Sequence, residues 1–256
     1  MKIQQIFYCL VCLLFVIHSA AIAQSSSVEE WNEEAKEKFD SGNEPEALEL
    51  YERVLEQDPE NFDALWNASL LYARAGFRLE DESEQEQKYN KALELAEKAV
   101  EHHPDEGFSH YAYAVAKGRM TDVMGNRDRI RTAHEIRDVI EKAAELIPDY
   151  APVWHFWGVW HRDVANVGRT ERIAARFISG GIPDASNEKA EEYLLKAVDL
   201  DDNHILIRLD LARYYLEVGE DEKAKEVLEK IIEMEPRTMD DPRKLEEARE
   251  LLDDLN

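Results

Sequence analysis

Apolar residues recur every three or four positions along most of the chain, and strict alternation of apolar and polar residues is almost absent. The clearest case is the segment 224–232, where Ala224, Val227, Leu228, Ile231 and Ile232 follow this spacing. Such spacing places the apolar side chains on one face of a helix. The pattern therefore predicts a protein that is nearly all helical.

The helical segments come in pairs. In the last pair, an apolar stripe at 211–216 is followed by a turn at Gly219, the stripe at 224–232 and Pro236. This pattern resembles the tetratricopeptide repeat, a helix–turn–helix unit of about 34 residues. The same signature recurs upstream, and its ends fall at Pro59, Pro104, Pro148, Asp202 and Pro236. Small residues at fixed repeat positions let paired helices approach closely, while aromatic residues fill the gaps.

This register predicts an all-α fold, an α-solenoid of about five tetratricopeptide-like helix pairs with insertions and a C-terminal capping helix. We expect the repeats at about 28–61, 62–106, 107–150, 151–204 and 205–238. The amphipathic segment 241–255 is the expected solubilising cap, because a solenoid needs a polar outer face at its end.

The N-terminus has the pattern of a secretory signal. Lys2 precedes an apolar stretch over 6–17, and Ala21-Ile22-Ala23 matches a small-residue cleavage site. We therefore expect a signal peptide at 1–23, a flexible leader at 24–27 and an exported protein, periplasmic or secreted. The alternative is an uncleaved N-terminal membrane anchor. After cleavage no transmembrane span is expected, and the two cysteines, Cys9 and Cys12, would be lost.

The chain is strongly acidic, with 31 Lys and Arg against 56 Asp and Glu and a formal net charge of −25. Such a charge repels nucleic acid and anionic membranes from most of the surface, so nucleic acid is not an expected partner. Two basic islands interrupt this background: Arg127, Arg129 and Arg131, and Arg169, Arg172 and Arg176. They either pair with neighbouring acids or form a docking patch for an acidic partner.

Patterns that indicate catalysis are missing from the sequence. It contains no P-loop, nucleophile elbow or glycine-rich dinucleotide turn. A cluster near Pro104 could coordinate a metal, although a polar turn is the favoured explanation; its members are His102, His103, Asp105, Glu106 and His110. We therefore predict no catalytic residues, no cofactor and no metal.

A more specific resemblance runs from about Gly107 to Asp254. Six segments carry it: Arg127–Pro148, Val153–Gly158, Arg172–Ala175, Ile182–Ala185, Ala190–Ala197 and the tail Arg237–Leu252. In these segments the chain resembles the regulator of microtubule dynamics family of tetratricopeptide proteins. The resemblance implies an α-solenoid adaptor without catalytic residues, whose animal relatives are associated with microtubules and organelle membranes.

In tetratricopeptide arrays the first helix of each pair lines a concave groove, which we expect to bind a protein or peptide partner. The candidate groove residues are Trp66, Leu70, Phe108, Tyr111, Val115, His155, Val159, Arg162, Leu206, Leu209 and Arg213. Most of this surface is apolar, and soluble monomers avoid exposing such a patch. Either the protein fills it, with Ile173, Ala174, Phe177 and Ile178 of the repeat-four insertion as a plug, or a ligand does. The sequence thus predicts a non-enzymatic adaptor, and a carrier of an apolar peptide or lipid-like ligand is the alternative.

Overall fold

The computed structural model describes residues 27–176 and 181–255. The predicted signal peptide and all of the leader except Ser27 lie outside these residues, as do Phe177 and Ile178 of the expected plug. The helices are α1 (27–40), α2 (Glu44–Gln57), α3 (Phe62–Phe77), α4 (Glu82–His102), α5 (Gly107–Met120), α6 (Asn126–Leu146), α7 (Ala151–Ala165), α8 (Arg169–Ala175), α9 (Asn187–Leu200), α10 (Ile205–Glu217), α11 (Asp221–Ile231) and α12 (Asp241–Asp254).

These helices stack as antiparallel pairs, which confirms the predicted all-α solenoid. Contacts within pairs join α3 to α4, α5 to α6, α7 to α9 and α10 to α11, and further contacts join each pair to the next. The short helix α8 lies in the long connection between α7 and α9. Helix α12 packs against α10 and α11 at the C-terminal end of the array.

Local sequence signals explain where several helices begin. Side chains of Asn61, Asp81 and Ser186 accept hydrogen bonds from backbone N–H groups in the first turns of α3, α4 and α9. These caps satisfy donors that have no partner within the helix. Gly219 ends the turn after α10 with φ 77°, a left-handed conformation that costs glycine little.

Close helix packing depends on small residues, as expected from the repeat. A Cβ atom added to Gly158 of α7 would lie 2.8 Å from Leu194 Cγ and 3.0 Å from the Leu194 backbone nitrogen on α9. Fully buried alanines serve the same purpose in the other pairs, for example Ala47, Ala96 and Ala224. Side chains in these contacts are close-packed, so one added methyl group must displace a neighbour.

The array curls until its C-terminal end contacts its N-terminal half. Arg78, directly after α3, donates to both carboxylate oxygens of Asp240, from Nε at 2.9 Å and from Nη2 at 2.7 Å. The same Nη2 lies 2.6 Å from Glu44 at the start of α2, and Arg74 reaches Glu44 at 2.9 Å. We call Glu44, Arg74, Arg78 and Asp240 the closure cluster. It joins residues that are up to 196 positions apart along the chain, counted from Glu44 to Asp240.

Candidate binding surfaces

All eleven candidate groove residues lie on the first helices of pairs two to five, that is, on α3, α5, α7 and α10. None of them is exposed: Leu70 and Leu209 are buried, at 8% and 0% exposure, and the other nine are half-buried. Six of them belong to two groups. Trp66, Phe108 and Tyr111 form an aromatic group on α3 and α5, and His155, Arg162 and Arg213 form a polar group on α7 and α10.

The aromatic group is a chain of rings in mutual contact. Trp66 stacks on Phe108 with centroids 4.7 Å apart, and Phe108 and Tyr111 both meet Tyr150 edge-on, at 5.0 and 5.4 Å. Burial raises the pKa of Tyr150 to about 12 and that of Tyr111 higher still. The buried Trp66 Nε1 has no hydrogen-bond partner among the described residues. This aromatic cluster thus carries one unused donor.

Tyr150 belongs to this cluster but was missed by the sequence analysis. It is the N-cap residue of α7 and therefore precedes the repeat positions from which the groove was inferred. The aromatic pattern of its neighbours could have suggested it, because rings on adjacent repeats tend to pack together.

The polar group is centred on Asp210 of α10, which is buried. His155 Nε2 lies 2.7 Å from Asp210 Oδ2, while Arg213 and Arg162 approach Oδ1 at 2.7 and 3.5 Å. Burial alone would raise the pKa of Asp210, but the hydrogen bond from His155 and the nearby positive charges outweigh it and hold this pKa well below its usual range. Asp210 therefore stays ionised and fixes the first helices of pairs four and five to each other.

Helix α12 bridges the two ends of the concave side. Glu247 of α12 accepts a hydrogen bond from Arg213 Nε at 2.9 Å, and Asp240 binds Arg78 in the closure cluster. The guanidinium of Arg243 stacks over the Phe77 ring at 5.5 Å, and that of Arg119 does so at 4.1 Å. The C-terminal helix of the same chain thus contacts the candidate groove at Arg213 of α10 and the end of α3 beside it.

The repeat-four insertion does not act as expected in the part that the structure describes. Ile173 of α8 is 47% exposed, so its side chain is not inserted into an apolar groove. Phe177 and Ile178 lie outside the described residues, and the side chain of Ala174 is likewise not described. The segment that reaches across the concave side is the start of α12, a helix predicted only as a cap.

The two basic islands are exposed at all six arginines: Arg127, Arg129, Arg131, Arg169, Arg172 and Arg176. We call this set the basic rim. Arg131 pairs with Asp128 at 3.0 Å and lies 4.0 Å from Glu135. Arg129 and Arg172 instead donate to backbone carbonyls, of Thr121 and of Val164 and Ala165. Some of the expected intramolecular pairing therefore exists, but it involves few of the arginines.

The histidines near Pro104 make separate contacts. His103 Nε2 lies 2.6 Å from the Glu60 carbonyl oxygen, and His110 Nε2 lies 2.7 Å from that of Pro104. Within 27–176 and 181–255 no three His, Cys, Asp or Glu side chains are arranged to hold a metal ion. In the same residues, no helix combines the length and the apolar composition that crossing a bilayer requires.

Comparison with known proteins identifies the family. The model of regulator of microtubule dynamics proteins 1–3 matches residues 31–256. The chain belongs to this family. The bovine regulator of microtubule dynamics protein 1 is 29% identical over 93% of this chain and 74% of its own length, and protein 3 of Xenopus laevis is 27% identical over 80% and 47%. The family resemblance inferred from the sequence is confirmed.

Solved structures support the same fold. A thermophilic TPR protein from Thermus thermophilus aligns with a TM-score of 0.64 at 22% identity, over 87% of this chain and 98% of that one. At this identity the match shows the fold alone. The fold and the family together are those of a scaffold for protein–protein interactions.

The predicted export, to the periplasm or out of the cell, is wrong. The relatives are animal proteins named as regulators of microtubule dynamics, and such a role conflicts with a periplasmic or secreted location. The short apolar N-terminal stretch misled the prediction, because apolar length and a small-residue site do not by themselves distinguish a secretory signal from other N-terminal segments.

Proposed function

We propose that this chain is a non-enzymatic adaptor that binds a protein partner and takes part in regulating microtubule dynamics. Family membership over residues 31–256 supports the microtubule role, and the helical-repeat fold supports the adaptor role. Stacked helix pairs offer extended surfaces for binding without any catalytic group.

The observation that favours a binding site outside the groove is the closed state of the concave side. None of the eleven groove candidates is exposed, and α12 and the closure cluster hold the two ends of the array together. The partner therefore engages the closed array from outside. Binding in the concave groove, as the sequence suggested, first requires the contacts of Arg78 and Glu247 to open.

The microtubule role is tested by adding the purified chain to dynamic microtubules and recording growth rate, shortening rate and catastrophe frequency by fluorescence microscopy. We expect at least one of these rates to change in a concentration-dependent way. Unchanged rates up to the solubility limit of the protein, with no chain found on the microtubule lattice, would contradict the proposal.

The second candidate function, a carrier of an apolar ligand, is favoured by one observation. The aromatic cluster contains the buried Trp66 N–H without a partner among the described residues, and a ligand oxygen could accept its hydrogen bond. Native mass spectrometry of the purified chain tests this function. A bound lipid at a fixed ratio that Trp66→Phe weakens would support the carrier, whereas a ligand-free protein would favour the adaptor alone.

A further inference from the structure

Both halves of the basic rim are linked to the connection between α7 and α9. Arg172 on α8 donates to the carbonyl oxygens of Val164 and Ala165, at 3.2 and 2.9 Å, and so attaches α8 to the C-terminal end of α7. On the other side, His134 of α6 donates from Nε2 to the Gly181 carbonyl oxygen at 3.0 Å. This bond ties the first half of α6 to the chain that follows α8. Arginines that are distant in sequence are thus held on neighbouring elements.

Ion pairs neutralise only part of the rim. Arg131 pairs with Asp128 at 3.0 Å and Arg129 lies near Asp122, whereas Arg127, Arg169 and Arg176 form no ion pair among the described residues. The remainder of the chain is strongly acidic, since the whole carries a net charge of −25. The rim is therefore a local positive surface on a negative protein.

Helix stability does not explain the arginines at the start of α6. Arg127 and Arg129 lie in its first turn, where the helix dipole is positive and cations are unfavourable. The N-cap residue Gly125 supplies no side-chain hydrogen bond that could offset this cost. A position that opposes local stability is more simply explained by binding.

We propose that the basic rim is the docking site for an acidic polypeptide segment, rich in Asp and Glu, of the partner protein. This inference rests on the proposed adaptor function and names the chemistry of its partner. Guanidinium groups bind carboxylates through paired hydrogen bonds, and six of them on two elements can bind several carboxylates of one extended segment. The exposed Ile173 beside Arg172 offers contact to an apolar residue within that segment.

An acidic peptide fits this surface better than an anionic membrane does. A bilayer is a broad plane of negative charge, so docking it would bring the acidic regions around the rim close to like charges. A single extended segment follows the rim alone and avoids them. The partner is therefore expected to contribute a short acidic stretch.

The test is the binding of a fluorescent Glu/Asp-rich peptide with one Leu, measured by fluorescence anisotropy at low and at physiological salt. The rim variant is Arg127→Gln/Arg131→Gln/Arg169→Gln/Arg176→Gln, which leaves the backbone contacts of Arg129 and Arg172 intact. The control variant, Lys36→Gln/Lys223→Gln/Lys230→Gln/Arg249→Gln, removes the same charge from exposed positions elsewhere. Circular dichroism melting curves verify that both variants are folded.

We expect the rim variant to bind the peptide at least about tenfold more weakly, and the control variant to change the affinity by less than about twofold. Equal loss in both variants would overturn the proposal, because net charge rather than the rim would then govern binding. No binding by the unaltered chain would overturn it as well. So would rim-dependent binding to phosphatidylserine vesicles with no binding of the peptide.

The same variants separate this site from the proposed function. If the rim variant loses the peptide but still alters microtubule dynamics, the adaptor role stands and the rim is not its docking site. If the unaltered chain binds the peptide through the rim yet leaves microtubules unchanged, the docking site stands and the microtubule role fails.

Discussion

Replacing Arg78 by Gln should loosen the contact between the two ends of the array. Arg78 makes two hydrogen bonds to Asp240 and a further 2.6 Å contact with Glu44. The side chains of Glu44 and Asp240 are only 5% and 15% exposed, so their charges lose a partner that water replaces only in part. We therefore expect Arg78→Gln to destabilise the protein measurably.

The magnitude follows from the contacts. Hydrogen bonds to charged groups contribute about 1.5–3 kcal/mol each, and breaking a fully buried ion pair costs about 3–5 kcal/mol. Because Arg78 is partly exposed and Arg74 continues to hold Glu44, we expect a loss of about 2–3 kcal/mol. For a protein of this size, that loss lowers the melting temperature by roughly 5–10 °C.

Urea unfolding of Arg78→Gln, Asp240→Asn and the double variant measures the coupling between the two ends. We expect a coupling energy of about 1–2 kcal/mol, together with a larger radius of gyration by small-angle X-ray scattering in each variant. Arg249→Gln is the control, since its 3.2 Å pair with Glu246 is exposed and joins neighbouring turns of one helix. That variant should change stability by less than about 0.5 kcal/mol.

Two results would refute this reasoning. Additive effects of Arg78→Gln and Asp240→Asn, within about 0.3–0.5 kcal/mol, would mean that the two residues do not interact in solution. An unchanged radius of gyration together with strong coupling would mean that α12 remains in place without the ion pairs, held by its apolar contacts to α10 and α11.

Three further predictions concern the interior. Gly158→Ala should lower the free energy of unfolding in urea by about 1–3 kcal/mol, although alanine favours helix more than glycine does, because the new methyl group meets Leu194. Gly125→Ala is the control and should change stability little, because nothing lies near the added methyl group. Burial lowers the pKa values of His161 and His204 to about 4, and since the unfolded chain takes up these protons nearer pH 6.5, stability should fall as the pH drops from about 6.5 towards 4. His161→Phe should reduce this slope by about half, and an unchanged slope would contradict the burial of His161. Asp210→Asn should lower the free energy of unfolding by about 2–4 kcal/mol at neutral pH, and an unchanged urea midpoint would contradict its role in joining pairs four and five.

The sequence predicted the helix pairs well because each pair depends on local patterns. Periodicity, small residues such as Gly158 and punctuating prolines act within a few turns, and stacking then follows from burial of the apolar stripes. The candidate groove positions also fell on the first helices, since repeat register alone determines that placement.

The closure cluster could not be predicted in this way. Its ion pairs join Glu44, Arg78 and Asp240, and in a chain with 56 acidic residues no local pattern distinguishes these carboxylates from the others. Whether the two ends of the array meet depends on the summed rotation between successive helix pairs. Insertions between the helices change this rotation, and their sequences do not specify by how much. For the same reason the sequence suggested α8 as the plug and overlooked the start of α12.

Closure changes how the array responds to a partner. In an open solenoid each repeat contacts only its neighbours, so a perturbation at one end is not felt at the other. Here Arg78 binds Asp240 at the start of α12, and Arg213 of α10 binds Glu247 of α12. Asp210 connects α10 to α7, and the C-terminal end of α7 contacts the basic rim at Arg172. A continuous series of contacts therefore runs from the closure cluster to the rim. A partner that binds the rim more tightly in the closed than in the open form must, by linkage, stabilise closure by the same free energy.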